Sequence, residues 1–515
     1  RAGRQMGSLV AGNGGQEAQR RSLVESLIQP LSMSPAFLEV SATATAERAE
    51  ALSRVSERLS ASDVQRLRVA WSDLHGVTRC KTLFAGAAAN AMNRGVAFVS
   101  TPLLKDTSDR TAVPVFDANA VAGLPQFANA PNLILLPDPQ TFVELPWSPG
   151  TAWVLGDSFH ADGSVCEADP RRILARQVAR LLDAGYRLKC GLEVEFHVYR
   201  LADDSRHLDP RNAAWPGPAP DVEMLHPGYR LLSEESADAS HRVLELIERT
   251  AIGLKLPLTS LEVEFGPSQF EAVFDVMDAS AAADAMVLFR SAVRQVLARH
   301  GYLATFVCRP PFPSVMSSGW HLHQSLVDLG GCNVFKPSAQ PAGARRAGLS
   351  AIGEAWLAGL LMHARGSCVL ATPTVNGYAR FRPNALAPTH ISWGYDDRSS
   401  LFRIVGYGDD ARIENRLGEP SANPYLYMAS QIIGGLEGLE NDLSLAASTA
   451  LLEGTSLPRN LGEALEAFQR DDTVRAQLGI SMCRIIAAAK ASEWARFSAS
   501  ADSEEFDRRE YFARF

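Results

Sequence analysis

Apolar positions along the chain alternate between two spacings, and the change of spacing marks the elements. After Asp169 and Pro170, the residues Ile173, Leu174, Val178, Leu181 and Leu182 recur every three or four positions, so a helix is predicted over 171–184. Similar spacing predicts helices over 46–59, 86–93, 238–251, 279–299, 344–363, 424–448, 460–468 and 473–492. A further helix is expected near 21–29, and Ser62-Asp63-Val64 reads as a helix N-cap. Two-residue alternation predicts strands over 68–73 and 78–83, joined as a hairpin around Leu74-His75-Gly76. Other strands are expected over 132–136 (closed by Pro131 and Pro137), 188–200, 258–274, 301–308, 320–327 and 401–405. No repeat of 20–50 residues interrupts this order. Segregated strands and helices imply an α+β chain. We divide it into a mobile arm with helices at 1–61, a small domain at 62–158 and a larger domain at 159–515.

Composition narrows the class. Of 515 residues, 46% are hydrophobic and 21% charged, which excludes a wholly disordered chain. Fifty basic against 58 acidic side chains give a net charge of −8, a poor footprint for nucleic acid. Seven cysteines, none in C-x-x-C spacing, argue against a disulfide framework or a structural zinc site and fit reducing cytoplasm. No apolar run reaches the ~18 residues of a membrane span, and the start has no signal-peptide character, although Arg1 is not a natural initiator.

Four segments carry chemistry. In Gly191-Leu192-Glu193-Val194-Glu195, the two carboxylates share one strand face. Leu261–Glu271 places Glu262, Glu264 and Glu271 around a Gly266-Pro267 kink that can reset their register. His321 and His323 share a face in Ser317–Leu326. Arg412, Glu414 and Arg416 alternate in Arg412-Ile413-Glu414-Asn415-Arg416. Each alone reads as solvated charge, an edge strand or a surface salt-bridge ladder. Together they could converge five carboxylates and an imidazole on Mg²⁺ or Mn²⁺, since oxygen-rich, thiol-free sites favour hard cations. Adding Arg380, Arg398, Arg403 and Arg416 completes a set suited to phosphoryl transfer. Neither G-x-x-x-x-G-K-[ST] nor G-x-G-x-x-G occurs, so the site is neither a P-loop nor a Rossmann site.

The succession E-x-E, E-x-x-P-x-Q-x-E, S-G-x-H-x-H-x-S-L, N-x-Y-x-R, R-S-x-x-x-R, R-I-E-x-R and Ser421-Ala422-Asn423-Pro424-Tyr425-Leu426 resembles the glutamine synthetase family over about residues 66–450. The resemblance implies a small N-terminal β-grasp domain, a larger catalytic domain with a curved antiparallel sheet, and a double ring (often a dodecamer) with active sites between subunits. It implies ATP and two or three Mg²⁺ or Mn²⁺ ions, phosphorylation of the glutamate γ-carboxylate, and amine attack on the acyl phosphate. By resemblance, Glu195, Glu264 and Glu271 hold one metal, and Glu193, His321 and Glu414 the second. Arg398 and Arg403 match phosphate-binding arginines, Arg380 and Arg416 glutamate-side arginines, and His323, Ser325 and Arg412 positions near the nucleotide.

The departures lie on the substrate side. Ammonium-using members carry R-x-x-P-x-x-E-A-P, whereas Arg380–Pro388 places Leu386 at the Glu position. The Asp-Gly-Ser-Ser stretch is lost, with Val99 its best match; on the glutamate side, the Asn-Gly before S-G-x-H that touches glutamate in the family is replaced by Met316-Ser317, which makes Ser317 a substrate-binding position by resemblance. The expectation is a cytoplasmic ligase joining glutamate to a primary amine larger than ammonia, small alkyl- or arylamines first. A glutamine synthetase using ammonium and an inactive structural homologue are the alternatives.

Overall fold

A computed structural model describes residues 45–61, 63–202, 211, 213–337, 348–381 and 386–515. Residues 1–44 of the arm, with the 21–29 helix, and most of the segment before Leu386 lie outside these residues, while the helix expected over 46–59 is present as Ala46–Ser60, with Ala51, Val55 and Leu59 buried. The predicted N-cap also falls partly outside, and no helix follows it: coil at 63–65 leads into a strand at Arg66.

The first sheet contains β1 (Arg66–Ser72), β2 (Thr78–Phe84), β3 (Val96–Val99), β4 (Asn132–Pro137), β5 (Val143–Glu144) and β6 (Thr151–Phe159). Its order is β2-β1-β6-β4-β3, with β5 beside β6. β1 and β2 form the expected antiparallel hairpin, while β1 runs parallel to β6, the grasp-like feature. The hairpin turn is fastened to the larger domain. Arg290 donates to Gly76 O at 3.0 Å and Asn423 Nδ2 to Asp73 O at 2.8 Å.

The second sheet contains β7 (Tyr186–Leu201), β8 (Val222–Met224), β9 (Leu258–Val263), β10 (Gln269–Asp278), β11 (Tyr302–Thr305), β12 (Trp320–Asp328), β13 (Trp393–Tyr395), β14 (Phe402–Val405) and β15 (Arg412–Gly418). Its main order is β13-β14-β15-β12-β7-β10-β9, antiparallel except for β13 with β14. Register shifts near Phe274 and Trp320 act as bulges and curve the sheet. The strand predicted over 258–274 is two strands, because Gly266-Pro267 turns the chain into a hairpin.

Helices cover the sheet's apolar face. Pro170–Asp183 is capped by Asp169, whose carboxylate accepts from Arg171 N. The helix Pro424–Glu440 is buried over nearly its whole length. It meets Ala351–Met362 so closely that a Cβ on Gly359 would lie 2.0 Å from Gly434 O. The helix predicted over 424–448 ends at Glu440, with Leu445–Leu452 separate, and that over 473–492 breaks at Gly479, whose φ is +89°.

Candidate active site

The four chemical segments meet on adjacent strands of the second sheet. β7 alternates as its sequence predicts: Leu192, Val194 and Phe196 are buried among the helices, and Glu193 and Glu195 face the opposite side. Register then aligns the partners, with Glu271 on β10 opposite Glu195, His321 on β12 opposite Glu193, and Glu414 on β15 opposite His323. Arg403 on β14 lies opposite Glu414.

The surface-ladder reading of β15 fails. Glu414 is fully buried and accepts from Arg416 Nη1 at 2.6 Å and Arg403 Nη1 at 2.8 Å. Arg412 turns elsewhere, donating through Nε to His323 Nδ1 at 3.2 Å. A central strand buries both faces, so its charges survive only as pairs.

Gln269, quoted within a motif but given no role there, organises the first metal-side carboxylates. Its Nε2 donates to Glu195 Oε2 at 3.0 Å and to Ser318 Oγ at 3.1 Å, and makes a longer contact with Ser317 O at 3.4 Å. Gly319 N also donates to Glu195 Oε2 at 3.0 Å. Asp396 was likewise missed. It binds the Arg403 Nε at 3.0 Å, and only its place between Gly394 and Arg398 hinted at that. Arg380 is buried and donates to the carbonyls of Arg416 and Gly418 at 3.0 and 3.1 Å. Arg398 is exposed on the turn after Asp397. Leu386 is 74% exposed, and its carbonyl accepts from Arg416 at 3.4 Å. Val99 ends β3, 43% exposed.

The donor set fits hard cations. His321 Nδ1 lies 3.6 Å from Glu193 Oε2 and 3.8 Å from Glu414 Oε1, beyond hydrogen bonding. Ligands about 2.1 Å from an octahedral ion stand roughly 3 Å apart, so gaps of this order suit one. Glu193, Glu271 and His321 offer atoms within 4.8 Å of one another, as do Glu193, His323 and Glu414. The Arg412 bond occupies His323 Nδ1, while His323 Nε2 lies 3.0 Å from Glu193 Oε1 but makes no hydrogen bond there. Both imidazoles border the carboxylates, His321 in the group with Glu193 and Glu271 and His323 in the group with Glu193 and Glu414.

Electrostatics point the same way. Burial, then the charges of Glu195 and Glu193, push the Glu271 carboxyl up to about 9. Burial and the neighbouring Glu264 raise Glu195 to about 7, and burial raises Glu264. Burial also pulls Glu193 upward, but His321 and His323 outweigh it and hold the group well below the usual carboxylate range. Burial drives His321 down to about 4, which keeps the ring neutral at pH 7. The raised Glu195, Glu264 and Glu271 carboxyls show that further positive charge beside them would be favourable.

Beside this centre lies a cleft of about 390 Å³ lined by Glu193, His323, Ser325, Asn333 and Arg412. It brings together the three residues that the sequence placed near a nucleotide.

The sequence profile described as glutamine synthetase, catalytic domain, matches residues 167–509. The chain belongs to the glutamine synthetase family. It is 35% identical to a gamma-glutamylanilide synthase of Acinetobacter sp, over 91% of this chain and 97% of that one. It is 32% identical to a glutamine synthetase of Pyrococcus horikoshii, over 79% of this chain and 88% of the other. A solved structure named Apo GmaS without ligand superposes with a TM-score of 0.69 and 27% identity, over 86% of this chain and 96% of that one. As a family member, the chain is an ATP-dependent ligase with a β-grasp domain before a curved-sheet catalytic domain. The family's use of ATP and divalent metal agrees with the carboxylate centre. Among the described residues, no helix is long and apolar enough to cross a membrane.

Proposed function

We propose that this ligase joins the γ-carboxylate of glutamate to a primary amine larger than ammonia, with arylamines and small alkylamines first. The carrying observation is Leu386. Where ammonium-using relatives place a carboxylate, this chain presents an apolar side chain, 74% exposed, on a backbone carbonyl held by Arg416. Ammonium must lose a proton before it can attack, and Leu386 and Val99 supply no base. An arylamine is largely neutral at pH 7 and needs none. The name of the Acinetobacter relative supports the same choice.

In this reading a γ-carboxylate oxygen attacks the terminal phosphorus of ATP and ADP departs. The amine lone pair then attacks the acyl carbon, the C–O bond to phosphate breaks, and nitrogen releases its proton. Arg398 and Arg403 draw the phosphoryl oxygens, Arg380 and Arg416 stabilise glutamate, and His323, Ser325 and Arg412 face the nucleotide. Glu193, Glu195, Glu264, Glu271, His321 and Glu414 would hold two or three Mg²⁺ or Mn²⁺ ions. Such ions supply charge neutralisation at the phosphates. We propose further that domains divide at 62–158 and 159–515, that copies assemble as a double ring with shared sites, and that the enzyme works in the cytoplasm, where its seven unpaired cysteines stay reduced.

The test is phosphate release and product mass with ATP, glutamate, Mg²⁺ and a panel of amines. Glutamine from ammonium as the best product would return the enzyme to glutamine synthesis. No turnover with any amine would mark an inactive homologue.

A further inference from the structure

We propose that the exposed phenyl ring of Phe265 is the platform that receives the aromatic ring of the amine, making Phe265 a specificity residue for arylamines. This rests on the amine-ligase reading above and adds to it one residue and one substrate class.

Phe265 follows Glu264 directly in the chain and is 36% exposed. Its backbone is fixed to the centre. Phe265 N donates to Glu264 Oε2 at 3.0 Å, and Gly266 N donates to Gln269 Oε1 at 2.8 Å. Gln269 in turn donates to Glu195. The Phe265 backbone thus holds a set position relative to Glu264 and Glu195.

Tyr229 holds it from the side. The two rings meet edge to face, with centroids 5.5 Å apart at 90°. Tyr229 N donates to Phe265 O at 2.7 Å, and the phenol donates to Ser314 O. This arrangement has a cost. Tyr229 adopts φ +62°, a left-handed conformation that a bulky side chain disfavours. Gly228 before it has φ +72°, and a Cβ there would lie 2.4 Å from Pro267 N. Neither ring joins the hydrophobic core, and Tyr229 is 48% exposed. A strained segment that holds two half-exposed aromatics against a catalytic turn earns nothing in core stability. It does preorganise a flat apolar surface, which fits a flat apolar ligand group.

The chemistry matches. An offset-stacked or edge-on aromatic contact gains roughly three- to tenfold in binding beyond simple burial. An alkyl group of similar size gains burial only. The ring contact orients the amine nitrogen's lone pair, and the group transfer keeps the bond changes given above.

The experiment uses the full chain with ATP, glutamate and Mg²⁺, comparing aniline, propylamine and ammonium. The variants are Phe265→Ala, Phe265→Leu and Phe265→Tyr. Wild type should favour aniline over propylamine in kcat/KM by about tenfold. Phe265→Ala and Phe265→Leu should lose most of that ratio, mainly by raising KM for aniline. Both should change propylamine use less than about threefold and leave the thermal midpoint near wild type, since the ring is outside the core. Phe265→Tyr should keep the preference. The proposal is overturned if wild type prefers propylamine, or if Phe265→Leu lowers both amines equally. A wild type that uses ammonium best, or no amine, fails the ligase reading itself, and that result is seen before any variant is made.

Discussion

Replacing Glu271 by Gln should make the metal-free protein more stable and the enzyme inactive. Glu271 sits on β10 opposite Glu195, nearly buried, with its carboxyl raised to about 9 by burial and by neighbouring carboxylates. Its ordinary value is 4.5, so the folded state binds a proton that the unfolded state releases across that window. Stability of the metal-free protein therefore falls as pH rises from about 4.5 toward 9. At pH 7 the group is held protonated at a cost of roughly 3 kcal/mol, at about 1.4 kcal/mol per unit. Gln has the same shape and never ionises, so Glu271→Gln should recover about 2–3 kcal/mol at pH 7, and more at pH 8.5. The same substitution removes a ligand from the carboxylate set and should abolish stabilisation by Mn²⁺. The assay is thermal or urea unfolding at pH 6, 7 and 8.5, in chelator and in excess Mn²⁺. In wild type the chelated protein should lose stability with pH while the Mn²⁺-induced shift grows, because the ion displaces a proton. The reasoning is refuted if Glu271→Gln is no more stable than wild type in chelator, or if Mn²⁺ still shifts it fully.

Three further outcomes are expected. Arg398→Ala should leave the midpoint unchanged, since the side chain is exposed, and lower kcat/KM about a hundredfold if it meets the transferring phosphoryl group; steady-state kinetics at varied ATP checks both. Leu386→Glu should narrow the preference for larger amines over ammonium by about tenfold, read from paired kcat/KM values. Gly359→Ala should cost about 1–3 kcal/mol or more, because its Cβ meets backbone of the helix Pro424–Glu440 and neither side can yield; chemical denaturation measures it.

Much of this was legible from spacing. The Glu-Val-Glu and His-Leu-His alternations fixed which side chains share a face, and β7 and β12 carry them as expected. Periodicity could not tell which face is buried, so Arg412, Glu414 and Arg416 read as a solvated ladder. In the fold, Arg403 from β14 neutralises Glu414 from across the sheet, a partner no local pattern reveals. The Gly266-Pro267 kink signalled a break without distinguishing a bulge from a hairpin. The three-residue β13 is too short for any period, and its parallel pairing to β14 depends on a turn whose Asp396 has φ +50°. The roles of Gln269 and Asp396 are tertiary, since each matters only through a carboxylate or guanidinium brought close by folding.

The two halves of the site are built on different material, and that governs how each can change. In the proposed assignment the metal side stands on β7, β10, β12 and β15, where backbone ladders fix Glu193, Glu195, Glu271, His321 and Glu414. There a substitution must satisfy its neighbours' charges as well as the chemistry. The acceptor side stands on turns. Tyr229 and Leu386 adopt left-handed φ, and Leu386, Tyr229 and Phe265 lie outside the core. Side chains there can be exchanged without opening a cavity, as long as the turn keeps its conformation. If the proposed assignment holds, this chain can change its amine preference at exposed turns without rebuilding its sheet. The departure from the ammonium pattern at Leu386 falls where this physics permits it.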